Sequence, residues 1–227
     1  MKSLVCPRCG GARIRRHGSI LSARGRVQRY ECRDCNKKFH PSLKTQPMEL
    51  REGYLDIETS QAGRGAGEWG IVYSWALKER GGKVRSDVMR ERSLKEERRI
   101  LVSLIRELKD FDMVYTWYGT GHDIPILRTR ALKHGLKFPE YMELYHTDLL
   151  YVCRHRFKLT SNRLAHVCEF FGIPDKTPLD PDIWVRASFG DKKAFAYIHA
   201  HNIGDVVALE KVHERLEPFY RGVRRSI

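Results

Sequence analysis

The stretch Tyr54-Leu55-Asp56-Ile57-Glu58-Thr59 decides the fold of this chain. Apolar Leu55 and Ile57 alternate with Asp56 and Glu58, which predicts a strand whose two acidic side chains leave the same face. A glycine-rich segment follows and predicts a loop, so both acids are expected at the end of the strand. Taken alone, the triplet Asp56-Ile57-Glu58 also fits a surface strand that carries two solvated acids.

Two further patches each contain an aspartate, Asp123 and Asp205. They read Tyr118-Gly119-Thr120-Gly121-His122-Asp123-Ile124-Pro125 and His201-Asn202-Ile203-Gly204-Asp205-Val206. In the second patch His201 precedes Asp205 by four residues, which places both on one face of a predicted helix, one turn apart. Together with the two acids of the strand, four carboxylates are available to hold two divalent metal ions. Such a pair of ions clamps the attacking and leaving oxygens of a phosphodiester during cleavage.

The order of these motifs resembles the DEDD family of 3′–5′ exonucleases, which includes the proofreading domains of family B DNA polymerases. The resemblance extends from Gly53 to Leu216. It implies that Asp56 contacts both metal ions and that Glu58 binds one ion and helps to orient the water. It also implies that Asp123 holds the second metal ion. A second interpretation of Asp123 is the N-cap of the helix that follows it, and both can hold because a carboxylate at a helix start is favourable.

The chain departs from the family pattern at three positions. Tyr118 replaces the usual asparagine of the second motif, and His122 replaces the usual phenylalanine. His201 stands four residues before Asp205, where one branch of the family has tyrosine. Because histidine accepts a proton near neutral pH, we expect His201 to orient or deprotonate the attacking water. The alternative is that His201 lies outside the first layer of the site or faces solvent, and that catalysis depends on the metal ions alone.

The amino-terminal segment contains two C-x-x-C pairs, Cys6-Pro7-Arg8-Cys9 and Cys32-Arg33-Asp34-Cys35. Four thiolates at this spacing predict one structural Zn²⁺ in a closed tetrahedral site. The stretch from Cys6 to Phe39 resembles the zinc ribbons of some insertion-sequence transposases. A redox pair of dithiols is the competing interpretation, but it usually shows one C-x-x-C pair. Cys153 and Cys168 are predicted to be buried thiols.

Positive charge is concentrated around these cysteines. The chain carries a formal charge of +14, and residues 1–47 contribute 12 Lys/Arg against 2 Asp/Glu, or +10. Such a surface predicts a polyanionic partner that is bound through phosphate contacts, although a merely basic surface is the alternative. The arginines expected to contact nucleic acid are Arg13, Arg15, Arg16, Arg24, Arg26 and Arg29.

The remaining sequence predicts an α/β fold, with a ribonuclease H-like mixed sheet flanked by helices and preceded by a small β zinc ribbon. The expected domains are the ribbon at 1–40, a linker at 41–47 and the ribonuclease H-like domain at 48–227. The predicted strands are 50–57, 69–77, 83–89, 113–117 and 144–150. The first predicted helix begins at a capping box, Ser93-Leu94-Lys95-Glu96. Three more helices are predicted at 124–136, 160–171 and 192–216.

These patterns predict a metal-dependent 3′–5′ exonuclease with two catalytic Mg²⁺ or Mn²⁺ ions and a ribbon that binds nucleic acid, DNA rather than RNA. Trp69, Trp117 and Tyr118 are candidates for stacking on terminal bases, and core packing is an equal alternative for the two tryptophans. The competing hypotheses are a nucleic-acid-binding protein with a degenerate site and a structure-specific endonuclease. No apolar run is long enough to span a bilayer and no signal peptide is evident, so we expect a cytoplasmic monomer, or a viral or mobile-element protein in a host cytoplasm.

Overall fold

The computed structural model describes residues 4–22, 25–40, 50–60, 66–140, 143–174, 178, 180–220 and 225–226, without the side chains of 19–22, 25–27, 66 and 225–226. The chain divides into two compact units, Met1–Glu49 and Leu50–Ile227. The linker predicted at 41–47 lies outside the described residues. Among the helices of the described ranges, none is both long and apolar enough to cross a bilayer.

The smaller unit is built on antiparallel strands. They are β1 (Ile14–Ser22), β2 (Gly25–Cys32) and β3 (Lys38–Phe39), paired in the order β1-β2-β3. The sequence predicts two short strands here, at 13–16 and 27–31, and both are confirmed and longer than expected, whereas β3 was not predicted. Tyr30 and Phe39 stand opposite each other on β2 and β3 and pack with Cys6 and Cys32 in a small core.

The larger unit is organised around a mixed sheet. Its strands are β4 (Glu52–Thr59), β5 (Val72–Glu79), β6 (Val84–Val88), β7 (Met113–Thr116), β8 (Tyr145–Asp148) and β9 (Arg225–Ser226). The described strands pair in the order β6-β5-β4-β7-β8-β9. The first three form an antiparallel meander, β4 pairs with β7 and β7 with β8 in parallel, and β9 returns antiparallel. This is the ribonuclease H-like mixed sheet that the sequence predicted.

Helices cover both faces of that sheet. They are α1 (Ala66–Trp69), α2 (Leu94–Leu108), α3 (Asp123–Lys133), α4 (Leu149–Arg156), α5 (Leu164–Phe170), α6 (Pro181–Ser188) and α7 (Lys192–Leu216), followed by a 3₁₀ turn at Glu217–Phe219. Alternation along β4 divides the core into two layers. Leu55 and Ile57 pack in the layer that contains α2 and α3, whereas Tyr54 packs with Val206 and Leu209 of α7 on the other face.

Three predicted elements needed correction. The strand predicted to run to residue 150 ends at Asp148, because the Asp148 carboxylate accepts a hydrogen bond from the Leu150 N–H (3.2 Å) and begins α4 there. Trp69 belongs to α1 rather than to the following strand. The helix predicted from residue 160 begins at Leu164. Helix α6 was not predicted, although Asp180 caps it and a proline occupies its first position, both of which are ordinary start signals.

The predicted capping box at α2 is confirmed in one half. The Ser93 hydroxyl oxygen accepts a hydrogen bond from the Glu96 N–H at 3.2 Å. The Glu96 carboxylate instead accepts from the Arg90 N–H at 3.0 Å. The long helix α7 has the bounds that were predicted from the sequence, residues 192–216.

Candidate active site

Strand β4 presents Asp56 and Glu58 toward helix α7. Tyr54, which shares their face by alternation, places its hydroxyl 2.8 Å from His213 Nδ1 on α7. The intervening residues Leu55 and Ile57 are buried on the opposite side of the sheet. The two acids of the first motif therefore leave one face, as the spacing predicted, and they leave it toward the helix that carries the third motif.

Glu58, His201 and Asp205 converge where β4 meets α7. His201 Nε2 lies 3.8 Å from Glu58 Oε1 and 3.7 Å from Asp205 Oδ1. One ligand atom from each of the three residues lies within 4.8 Å of the others, a grouping that fits a metal ion. The His201 side chain is 5% exposed, and the two carboxylates retain 16% and 14% exposure, so the cluster opens to solvent on its acidic side.

Asp56 is held by a residue that sequence reasoning did not single out, Asn202. The Asn202 Nδ2 donates a hydrogen bond to Asp56 Oδ2 at 2.6 Å. The Asn202 Oδ1 in turn accepts from the Ser74 hydroxyl at 2.9 Å, which fixes the orientation of the amide. Asn202 is fully buried, and Ser74 stands opposite Glu58 on β5. The two hydrogen bonds therefore join β4, β5 and α7. The only sequence signal of Asn202 was its place inside the third motif, beside His201.

Asp123 begins α3 but does not cap it, because the N-cap position belongs to His122. The alternative interpretation of Asp123 as an N-cap is therefore wrong. Asp123 Oδ1 accepts a hydrogen bond from the Ile57 N–H at 3.1 Å, which holds it against the backbone between Asp56 and Glu58. Burial raises the pKa of Asp123 to about 7, and the negative charges of Asp148 and Asp205 add to the shift, although backbone N–H groups oppose it.

This donor set fits divalent cations. Carboxylate oxygens are the ligands that Mg²⁺ and Mn²⁺ prefer in proteins. Crowded carboxylates raise one another's pKa, and a bound cation offsets that repulsion. Burial is the main cause of the raised pKa of Asp123, and the nearby charges of Asp148 and Asp205 add to it. Asp56, Glu58, Asp123 and Asp205 are the residues that would hold such ions.

Asp148 organises the loop of the second motif. Its carboxylate accepts hydrogen bonds from the N–H groups of Tyr118 and Thr120, each at 2.9 Å. The loop turns sharply: Tyr118 has a φ of +66°. A Cβ at Gly119 would lie 2.2 Å from the Thr116 hydroxyl oxygen, so that position requires glycine. This contact set agrees with a structural role for Asp148.

The aromatic residues predicted to stack on bases differ in exposure. Tyr118 is half-exposed and Trp69 is 73% exposed, so core packing is wrong for Trp69. Trp117 is half-buried and donates its indole N–H to the Asn162 carbonyl oxygen at 3.0 Å. Trp184 of α6 was not predicted to take part. Its ring lies perpendicular to the His201 ring, with the centroids 5.5 Å apart.

The four cysteines of the smaller unit converge as predicted. Cys6 Sγ lies 3.6 Å from Cys35 Sγ, and Cys9 Sγ lies 3.6 Å from Cys32 Sγ. Ligands 2.3 Å from a tetrahedral Zn²⁺ stand about 3.8 Å apart, so the cluster has the size of a zinc site. Burial opposes ionisation of the Cys6 thiol, but backbone N–H groups outweigh it and lower its pKa to about 7. The arrangement fits a zinc ribbon. Cys153 and Cys168 are buried in the larger unit, as predicted.

The predicted nucleic-acid contacts differ in their surroundings. Arg13 pairs with Asp34, and Arg15 pairs with Glu31 at 2.8 Å. Arg16 and Arg29 form no ion pair with any residue that the structure describes. Arg24 and the side chain of Arg26 lie outside the described residues. Ion pairs within the smaller unit therefore neutralise part of the positive charge that was predicted to bind nucleic acid.

Comparisons with known proteins agree with this fold. Residues 53–217 match the family model described as the RNase H superfamily. A search of curated proteins found no significant match. Among solved structures, the family B DNA polymerase from the hyperthermophilic archaeon Pyrobaculum calidifontis is similar, with a TM-score of 0.60 and 20% sequence identity. The similarity covers 75% of this chain and 25% of that polymerase, so it concerns one part of a larger protein.

Proposed function

Because this chain belongs to the RNase H superfamily, we propose that it is a metal-dependent 3′–5′ exonuclease that hydrolyses terminal phosphodiester bonds of nucleic acid. The observation that carries the proposal is the convergence of Glu58 and Asp205 at His201, with Asp56 and Asp123 held beside them. The fold similarity to a family B DNA polymerase supports it, and so does the order of the motifs. DNA is the proposed substrate in preference to RNA.

Two divalent cations, Mg²⁺ or Mn²⁺, belong to the proposal. When bound, such ions lower the pKa of water and neutralise charge that develops on the phosphate. The chain's part is to hold its carboxylates in place. Asn202 holds Asp56 with a charge-assisted hydrogen bond, and the Ile57 N–H holds Asp123. The partial exposure of Glu58 and Asp205 leaves room for a phosphate to approach.

Substrate positioning is assigned to the surface around the second motif. Tyr118 is half-exposed on a loop that Asp148 fixes through two backbone N–H groups. An exposed and rigidly mounted aromatic ring stacks on bases without selecting their identity. Base stacking at this position would suit an enzyme that removes any terminal nucleotide.

The smaller unit is proposed to hold one structural Zn²⁺ on Cys6, Cys9, Cys32 and Cys35 and to bind nucleic acid. Of the arginines that the sequence predicts to contact nucleic acid, Arg16 and Arg29 are described and lack an acidic partner, and they are the proposed phosphate contacts. Replacing both with glutamate in the full chain should weaken binding and flatten its dependence on salt. Arg106→Glu, which reverses a largely exposed charge on α2, is the matched control and should have a smaller effect.

The decisive experiment uses end-labelled single- and double-stranded DNA and RNA with Mg²⁺, Mn²⁺ or EDTA. We expect metal-dependent release of nucleoside 5′-monophosphates from 3′ ends. Replacing Asp56, Glu58, Asp123 or Asp205 with alanine should lower the rate by orders of magnitude, and a double replacement should cost little more because the residues act as a unit. Glu169→Ala, at an exposed acid on α5, should leave the rate unchanged.

Other outcomes separate the competing hypotheses. Cleavage of circular single-stranded DNA would identify an endonuclease with the same metal site. Tight binding without cleavage of any substrate, with either metal ion, would identify a nucleic-acid-binding protein with a degenerate site. In that case the departures at Tyr118, His122 and His201 would account for the lost activity.

A further inference from the structure

The contacts of His201 Nε2 have an unusual length. The atom lies 3.8 Å from Glu58 Oε1 and 3.7 Å from Asp205 Oδ1. Hydrogen bonds between nitrogen and carboxylate oxygen have a length of about 2.7–3.2 Å, so neither contact is one. Nε2 is thus almost equally distant from two carboxylate oxygens and bonded directly to neither of them.

These separations have the dimensions of a shared cation. A point equidistant from three atoms that stand about 3.8 Å apart lies about 2.2 Å from each, close to the ~2.0–2.2 Å of metal bonds to histidine nitrogen and carboxylate oxygen. If the two carboxylate oxygens stand as far apart as the 4.8 Å that bounds the cluster, that distance rises to about 2.4 Å. The triangle therefore has room for one ion between its corners.

The imidazole is also held in place for this task. His201 is buried on the stiff helix α7, one turn before Asp205. Trp184 packs perpendicular to its ring, with the centroids 5.5 Å apart. A ring that is packed in this way presents Nε2 to one fixed point. That point lies between the two carboxylates.

We propose that His201 is a direct nitrogen ligand of one metal ion, together with Glu58 and Asp205, and that this mixed site prefers a first-row transition-metal dication over Mg²⁺. The inference rests on the proposed function, since it concerns the same metal centre. It assigns His201 a role different from the general base predicted from the sequence, because a lone pair donated to a metal ion is not available to accept a proton from water. Imidazole nitrogen favours transition-metal ions, whereas Mg²⁺ favours an all-oxygen shell.

The test uses Mn²⁺ as the probe and the full-length protein, freed of divalent ions at the acidic site and still loaded with zinc. Pulsed electron paramagnetic resonance of the Mn²⁺ complex should show coupling to a histidine nitrogen. Labelling the wild type with ¹⁵N-histidine should change that coupling, and this measurement needs no substitution. His201→Gln should remove it and weaken Mn²⁺ binding by about 10- to 100-fold, with a smaller loss for Mg²⁺.

His199→Gln is the matched control on the same helix. His199 Nε2 lies 2.9 Å from the Ser86 hydroxyl oxygen, and His199 is not part of the metal cluster. The control variant should keep the nitrogen coupling and the Mn²⁺ affinity. Thermal unfolding of both variants identifies any loss that arises from folding alone.

The outcomes separate this inference from the proposed function. An active nuclease whose Mn²⁺ complex shows no histidine nitrogen coupling, or keeps it in His201→Gln, would overturn the role of His201 and leave the nuclease intact. A protein that neither binds Mn²⁺ nor cleaves nucleic acid would overturn both. Equal losses of Mn²⁺ and Mg²⁺ affinity in His201→Gln would overturn the proposed metal preference.

Discussion

The buried amide of Asn202 offers the sharpest test of how the metal centre is built. Its Nδ2 donates to Asp56 Oδ2 at 2.6 Å, and its Oδ1 accepts from the Ser74 hydroxyl at 2.9 Å. Asn202→Leu keeps the approximate shape of the side chain and removes both bonds without adding a charge. Asp56 then loses a donor that stabilises its ionised form and holds its orientation.

The size of the effect follows from these bonds. A hydrogen bond to a charged group contributes about 1.5–3 kcal/mol, and a buried hydroxyl left without its acceptor costs about 1–3 kcal/mol. Only the bond to Asp56 acts on the metal centre. Since each 1.4 kcal/mol is about tenfold in affinity, Asn202→Leu should weaken divalent-cation binding by about 10- to 100-fold.

The assay compares Mn²⁺ binding to the metal-free acidic site with the cleavage rate as a function of Mn²⁺ concentration. In Asn202→Leu, saturating Mn²⁺ should restore much of the lost rate, which a merely structural defect would not allow. Ser74→Ala removes the support of the amide but keeps its bond to Asp56, so it should shift Mn²⁺ affinity by less. If Asn202→Leu binds Mn²⁺ as tightly as the wild type, Asn202 does not position Asp56 and the reasoning fails.

Three further predictions concern stability. Removing zinc, or replacing Cys32 with serine, should unfold the smaller unit and leave the larger one folded, as measured by zinc content and limited proteolysis, because the ribbon's small core depends on the metal ion. Glu97→Gln should lower the free energy of unfolding by about 3–5 kcal/mol in urea, because it leaves the buried Arg130 without its counter-charge. Burial lowers the pKa of His213 to about 4, below the ordinary 6.5. Its contribution of about 3 kcal/mol should therefore be complete above pH 6.5 and lost as the pH falls toward 4, and His213→Gln should reduce that acid sensitivity.

Each of these predictions has a control or a contrary result. A Cys32→Ser protein that keeps its zinc and resists proteolysis would contradict the ribbon assignment. Lys137→Ala breaks an exposed pair with Glu140 and should leave the stability nearly unchanged, in contrast to Glu97→Gln. Burial also lowers the pKa of His146 to about 4. The His213→Gln protein should therefore keep the part of the acid sensitivity that arises from His146. Acid sensitivity that is unchanged in His213→Gln would mean that other groups account for it.

The sequence by itself determined the features that depend on local spacing. Alternation at 54–59 predicted a strand with both acids on one face, and β4 has that form. Two C-x-x-C pairs predicted the cysteine cluster, which has the dimensions of a zinc site. The bounds predicted for helix α7, residues 192–216, are confirmed. Hydrophobic periodicity, helix capping and metal-ligand spacing each depend on a few neighbouring residues, so they can be read directly from the sequence.

Only the tertiary structure decided how the site is assembled. The bond between Asn202 and Asp56 joins residues 146 positions apart, and the position of His201 Nε2 between two carboxylates depends on the packing of α7 against β4. The hydrogen bond from the Ile57 N–H to Asp123 was equally hidden, since the sequence indicated only a metal ligand or a helix cap. Such contacts depend on which faces of distant elements meet and at what register. No local pattern in the chain encodes that choice, because it is made by the packing of the whole core.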